Sequence, residues 1–418
     1  MSEALPSQWK TSSFGDAAQF LNGFAFKPHH WATQGTPIIR IAQMLDPSAA
    51  VDRYRGELGE RFQIRAGDLL FSWSATLATV IWDRPDAYLN QHLFKVLPTS
   101  STTLGFIHHL LNFHMEGLTN QSHGTTMRHI TRADLLPYPV RLPPLDEQRH
   151  IAEVLDTIDD VIQKTEQLIA KLKQMKQGLL HDLLTRGVDD NGELRDPERH
   201  PEQFKDSPLG RIPKTWDVER LDALTSKIVD GVHHTPTYVS DGVPFLTVEN
   251  LARGPGISLE PCRYVTRRAH DEYVRRADPR PGDVLVSKDG TLGVARLIPH
   301  ELGEVSIFVS VAMLRPRPER LLDRFLREFF DTKEFFRQLG YLSAGSGLKH
   351  IHLEHFREFL LALPPVKEQE RILAAVDASA SRIDREADGL RKLRTLKSGL
   401  MEDLLTGRVR TTVLEAAA

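Results

Sequence analysis

Residues 142–188 lie over residues 363–409 without a gap, with 18 identities in 47 positions. Pro143/Pro364, Glu147/Glu368, Gln148/Gln369 and Gly178/Gly399 coincide, and Asp182-Leu183-Leu184-Thr185 lies over Asp403-Leu404-Leu405-Thr406. Upstream at the same offset, "GTTMRHI" from Gly124 aligns with "GSGLKHI" from Gly345. Weaker matches fill in the rest: "LPSQW" with "IPKTW", "TPIIRIAQ" with "VPFLTVEN", and "GDLLFSWSATLA" with "GDVLVSKDGTLG". A unit this large, present only twice, is a duplicated module rather than a solenoid. The order is variable domain, similar helix, variable domain, similar helix.

The repeated segment reads as a long helix. Tandem prolines close the preceding element, and acidic residues follow in the first turn, where they complement the helix dipole. Apolar residues then recur with a heptad. One row holds Ile151, Ile158, Leu172 and Leu179, another Val154, Val161, Leu168 and Met175, and a third Leu155, Ile162, Ile169 and Leu183. From Asp146 to Leu184 the helix would be about 58 Å long at ~1.5 Å per residue. The second copy keeps Ile372, Val376, Ile383, Leu390, Leu393 and Leu400, with Gly389 where the first has Leu168. A stripe of three rows is wider than a two-stranded seam. Either these residues bury only against each other, or the helices form an antiparallel pair that also offers apolar surface to other subunits.

Short β-like runs bounded by Gly, Pro and Asp ("TPIIRI", "GDLLFSW", "VPFLTV", "GDVLVS") predict a small twisted sheet in each variable domain. Residues 103–118 and 324–340 read as amphipathic helices, so each domain is α+β. The expected division is 1–141 and 213–362 for the two variable domains, 142–188 and 363–409 for the helices, 189–212 for an exposed connector and 410–418 for a frayed tail.

Searching for catalysis returns little. There is no Walker loop, nucleophile elbow, dinucleotide fingerprint or Asn-Pro-Pro-aromatic motif. His108, His109 and His114 lack the spacing of a zinc enzyme and read as helix-surface or partly buried histidines, so no metal site is expected. Cys262 is the only cysteine, which excludes an internal disulfide and fits a reducing cytoplasm. The N-terminus shows no signal peptide, and no apolar run is long enough for a membrane helix. Net charge is −3, so nothing global announces nucleic acid.

Local clusters do. Arg263, Arg267, Arg268, Arg275, Arg276 and Arg280 crowd one stretch, with Arg53, Arg55, Arg61 and Arg65 at a comparable place in the first half. Arginine suits bidentate contacts with phosphate and guanine. Interleaved Glu57, Glu60, Asp271 and Glu272 leave a solvated charged face as the other reading. In the repeated Gly-[Ser/Thr]-x-x-[Arg/Lys]-His-Ile, the residues Thr125, Arg128 and His129, and Ser346, Lys349 and His350, suit a phosphate clamp or a tight turn. Polar residues at strand ends, namely Arg40, Ser72, Trp73, Asn90, Gln91, Glu249, Asn250, Ser287 and Lys288, are the candidate base readers.

With "LPPLDEQRHIAEVLD", "QGLLHDLLTRG", "LPPVKEQERI", "SGLMEDLLTGRV" and "FKDSPLGRIPKTWDVERL" in view, nearly the whole chain resembles the specificity subunit of type I restriction–modification systems. The resemblance implies two target-recognition domains, each reading half of a split DNA site. It implies that the two long helices pair as an antiparallel coiled coil, set the half-site spacing and dock two adenine methyltransferase subunits. It implies no catalysis in this chain: S-adenosylmethionine belongs to the methyltransferase partners, and ATP and magnesium to the motor-nuclease partner. Ala75 and Ala78, where the second half has Gly290 and Gly293, depart from the repeat. The reading that competes with DNA recognition is a duplicated coiled-coil scaffold for proteins.

Overall fold

The computed structural model describes residues 6, 8–121, 130–342 and 350–411. The chain divides into two compact units, residues 1–168 with 386–418 and residues 169–385. Each holds one variable domain and half of each long helix.

The two variable domains repeat one topology. In the first unit an antiparallel sheet has the order Ala18–Asn22, Leu93–Pro98, Leu69–Ser72, Ala78–Ile81. In the second the order is Thr225–Asp230, Val311–Pro316, Val284–Ser287, Ala295–Leu297. A second small sheet in each contains one parallel pairing, Thr36–Ile39 with Ala87–Leu89 and Val243–Leu246 with Ser306–Ile307. The sequences permit this because their central strands are apolar on both faces. Leu69 and Phe71 point into one core and Leu70 into another. Val284 and Val286 likewise oppose Leu285. Side chains alternate along a strand, so an unbroken apolar run fills two cores at once.

Beside the first sheet lies a single helix, Leu104–Gln121. The helix expected over 324–340 is instead two, Asp323–Phe329 and Lys333–Leu342. Thr332 makes the break. Its hydroxyl donates to the Phe329 carbonyl and accepts the Phe335 N–H, which restarts the helix with a fresh N-cap.

The long helices run Leu145–Arg186 and Val366–Leu405, 42 and 40 residues. Within the first unit their halves pair antiparallel: Lys397 meets Asp159 at 2.5 Å and Arg394 meets Glu166 at 2.7 Å, over a core of Ile151, Leu155, Leu404 and Leu405. In the second, Leu180 and Leu183 share a core with Ile372, Leu373 and Val376. Burial follows the heptad: Ile158, Ile169 and Leu172 are buried, and Ile162, Leu179, Ile383, Leu390, Leu393 and Leu400 are half-buried. Val161, Leu168 and Met175 stand exposed at 42%, 36% and 57%, so one apolar row of the first helix faces outward. The matching row of the second helix holds Ala375, Arg382, Gly389 and Leu396, of which Leu396 is exposed at 52%.

The repeated Glu-Gln pair does more than complement a dipole. Gln148 donates to the carbonyls of Ser101 and Pro143 and accepts the Thr103 N–H; Gln369 donates to Arg320 and Pro364 and accepts the Leu322 N–H. Each glutamine thus ties its helix start to the domain before it. Each glutamate takes an arginine from beyond the end of the other helix. Arg195 reaches Glu368 at 2.5 and 3.2 Å, and Arg410 reaches Glu147 at 2.6 and 2.8 Å. The connector is mostly exposed, as expected, and residues 412–418 of the tail lie outside the described residues. The connector forms the hairpin Phe204–Ser207/Gly210–Pro213, and the described part of the tail, Arg410 and Thr411, packs down.

Candidate nucleic-acid interface

In each unit the first strand of the larger sheet leaves it at a glycine. A Cβ on Gly23 would overlap the carbonyl of Asn90, and one on Gly231 that of Ile307. Each following residue is then hydrogen-bonded to the parallel strand: Phe24 to Leu89 and Gln91, Val232 to Ile307 and Val309. Beside this crossing ends a central strand. The carbonyl of the residue after it, Trp73 or Lys288, accepts the N–H of Ile130 or Ile351. The two crossings share one backbone frame and carry different side chains.

In the second unit the frame is ionic. Asp230 is 2% exposed and closes the first strand. Its carboxylate takes the Arg276 guanidinium at 2.5 Å, His233 Nε2 at 3.0 Å and Lys288 Nζ at 3.2 Å. Burial pushes its pKa up, but bonds from Arg276, His233 and Lys288 outweigh that and hold it below the usual carboxylate value. In the first unit Asn22 occupies the aspartate's place and Trp73 that of Lys288. Trp73 packs on His92 and Phe94, with ring centroids 5.8 and 5.9 Å apart. Its indole N–H is buried without a hydrogen-bond partner among the described residues.

In each unit an arginine lies over an aromatic ring. Arg40 lies over Trp31 at 5.3 Å and pairs with Asp52, while Arg263 lies over Tyr238 at 4.9 Å and donates to its hydroxyl. Trp31 is 46% exposed. An arginine held flat on an aromatic ring keeps donor edges toward solvent.

Several candidate base readers are not surface groups. Ser72 and Ser287 are wholly buried; their hydroxyls donate to Thr76 and Thr291 carbonyls and shape the turns that follow. Asn250 is 3% exposed and caps Val248–Ala252, while Asn90 is 4% exposed and accepts the His92 N–H. Short polar side chains after a strand satisfy the backbone of the turn before they can face a ligand. Lys288 is inward-facing, 9% exposed on Asp230. Arg40, Gln91, Glu249, Arg263, Arg267, Arg268 and His350 are at least partly exposed. Of these, Glu249 pairs with Arg253 and Arg267 with Glu304. Thr125, Arg128, His129, Ser346 and Lys349 lie outside the described residues. Sequence reasoning missed Asp230, His233 and Trp31, and read Arg276 only as one arginine among six.

His108 and His114 are partly buried, one of the two readings expected for these histidines. His109 is wholly buried and bonded to Asp156 at 2.7 Å, and burial lowers the pKa of His108 and His114 to about 4. No cluster of three metal-binding side chains occurs among the described residues, and no helix there is long and apolar enough to cross a membrane.

The comparisons with known proteins bear on this frame. The family model described as the type I restriction modification DNA specificity domain matches residues 6–174 and again 241–393. The chain belongs to that family. The specificity subunit of the type I restriction enzyme EcoBI of Escherichia coli is 23% identical, over 97% of this chain and 87% of that one. The MjaVIII specificity subunit of Methanocaldococcus jannaschii is 20% identical over 97% and 94%. Among solved structures, a chain from work on complex assembly and conformational transition of the type I R-M system has TM-score 0.61 at 19% identity, over 97% of this chain and all of that one. The S subunit of a type I system from M. genitalium has TM-score 0.51 at 13% identity, over 95% and 96%. These likenesses show the fold. The first crossing falls within the first matched segment; of the second, Arg276, Lys288 and Ile307 fall within the second matched segment, and Asp230 to His233 precede it.

Proposed function

We propose that this chain is the DNA-specificity subunit of a type I restriction–modification complex. Each recognition domain reads one half of a bipartite DNA site, and the chain itself catalyses nothing. The observation that carries this is the pair of crossings: one backbone frame, twice, with different side chains. A scaffold serving two identical partners has no use for that difference. A reader of two unlike half-sites does, because base discrimination lives in the side chains that reach the grooves.

The helix pair serves the partners. The exposed row Val161, Leu168 and Met175 is apolar surface of the kind that marks a subunit interface, and two adenine methyltransferase subunits are its occupants in this reading. They bring S-adenosylmethionine and flip the target adenine from the duplex. The motor-nuclease subunits that use ATP and magnesium join through the complex.

A genome-wide map of methylated adenine, with and without this gene, tests the assignment. Loss of methylation at one bipartite motif with a fixed gap is the expected result, and an unchanged map in cells that express the methyltransferase overturns it. Inserting one turn at matching positions of both long helices, about 5.4 Å, should lengthen that gap by one or two base pairs, at ~3.4 Å each.

A further inference from the structure

We infer that the second recognition domain carries a preassembled phosphate-binding site, made by Arg276, His233 and Lys288 around the buried carboxylate of Asp230. This rests on the DNA-recognition reading and names a contact within it.

The argument is one of charge and direction. Asp230 has a side chain 3% exposed, and Lys288 11%; Arg276 and His233 are 50% and 59% exposed. The acid and Lys288 lie inside while Arg276 and His233 face outward, so an approaching ligand meets the arginine and the histidine before the carboxylate. One carboxylate opposes two permanent cations, which leaves at least one positive charge in excess whatever the state of His233. A cation or a neutral base edge has no use for that excess, whereas a phosphodiester oxygen does.

Geometry supports the same ligand. Arg276 donates through Nε to the Asp230 carbonyl and through one terminal nitrogen to its carboxylate, and His233 lies 3.0 Å from that nitrogen. The guanidinium is thereby fixed in orientation, and its other terminal nitrogen has no partner among the described residues. A donor fork that is already ordered gives up little side-chain entropy on binding. The charge lies at the end of a sheet strand, where the backbone is pinned by the close approach at Gly231. The corresponding places in the first domain hold Asn22 and Trp73, so that crossing has no such site. The second half-site is gripped by charge at this point and the first by aromatic surface.

The test uses the full-length chain assembled with its methyltransferase subunits, on duplex carrying the mapped target, across a range of salt concentrations. Arg276→Gln removes one cation from the buried Asp230 carboxylate, so some loss of melting temperature is expected; Lys288 still pairs the acid, and the slopes are compared at a temperature where both proteins are folded. If the site holds the DNA backbone, the variant's log K against log salt slope falls in magnitude by about one, with equal loss on target and non-target duplex. Asp230→Asn should give a similar fall by releasing the cations from position. If the source is free phosphate, millimolar inorganic phosphate at constant ionic strength stabilises the wild-type chain and not Arg276→Gln, with the DNA slope unmoved. An unchanged slope together with no phosphate effect overturns the site. Wild-type complex that ignores DNA altogether overturns the DNA reading, and this site with it.

Discussion

Arg410 and Glu147 stand 263 residues apart in the chain and meet in two parallel hydrogen bonds of 2.6 and 2.8 Å. The glutamate is 1% exposed and also takes the Trp9 indole N–H at 3.1 Å. Removing the arginine leaves a buried carboxylate with one neutral donor. Breaking such a pair by deleting one partner costs roughly 3–5 kcal/mol. Arg410→Ala should therefore destabilise the first unit by about that much, and Glu147→Gln with Arg410→Ala should recover part of the loss. Differential scanning calorimetry of the single and double variants checks this.

The first unit should also be acid-sensitive. His108 and His114 have folded pKa values lowered from 6.5 to about 4, in both cases chiefly by burial, and that of His109 is lowered for the same main reason despite its bond to Asp156. A histidine that binds its proton more weakly when folded favours the fold fully above pH 6.5. That contribution is lost as pH falls from 6.5 toward 4, because the unfolded chain takes up protons first. His108 and His114 each contribute on the order of 3 kcal/mol at most, from the fall between 6.5 and about 4. Unfolding followed from pH 7.5 to 4.5 should show the decline, and His114→Phe should flatten it.

Ala75 has φ 56, where its counterpart Gly290 has φ 67. The turn after each central strand needs a left-handed residue, and only the second domain supplies a glycine. A non-glycine residue there costs about 1 kcal/mol. Ala75→Gly should stabilise the chain by somewhat less, since glycine also frees the unfolded chain. A denaturant midpoint that falls instead would show that the turn is not strained.

The outward row of the first helix gives a partner test. Met175→Glu and Val161→Glu change exposed positions, so stability should shift by under about 0.5 kcal/mol. Association with the methyltransferase subunits should weaken by at least tenfold, because each charge would be desolvated in an apolar interface. Native mass spectrometry reads both the affinity and the number of subunits retained.

What the sequence revealed and what it hid divide along physical lines. The long helices were legible because a heptad and a repeat are local signals, readable one turn at a time. The first helix, expected from Asp146 to Leu184, runs Leu145–Arg186, while the second starts three residues inside and ends four residues short of the repeated segment 363–409; Pro143 and Pro364 before and Gly187 and Gly407 after are the punctuation. The crossings were not legible. Asp230, Arg276 and Lys288 come from separate elements, and no local pattern joins them. Ser72, Asn90, Asn250 and Ser287 misled because a hydroxyl or amide after a strand looks the same whether it caps a turn or faces a groove. The break at Thr332 was readable in principle: Asp-Thr followed by Lys-Glu is an N-cap signal, overridden by the phenylalanine periodicity on either side.

The division of the chain into units has a consequence for biogenesis. The second unit is one continuous stretch, residues 169–385, whereas the first joins residues up to 168 with residues from 386 onward. A ribosome adding roughly 5–20 residues per second exposes the first recognition domain early, then takes on the order of 10–50 s to deliver the helix half and Arg410 that complete its core. The domain made first is thus the last to be finished. Over that interval Ile151, Leu155 and the carboxylate of Glu147 await the segment that covers them, and the nascent chain is most open to chaperones and to proteolysis.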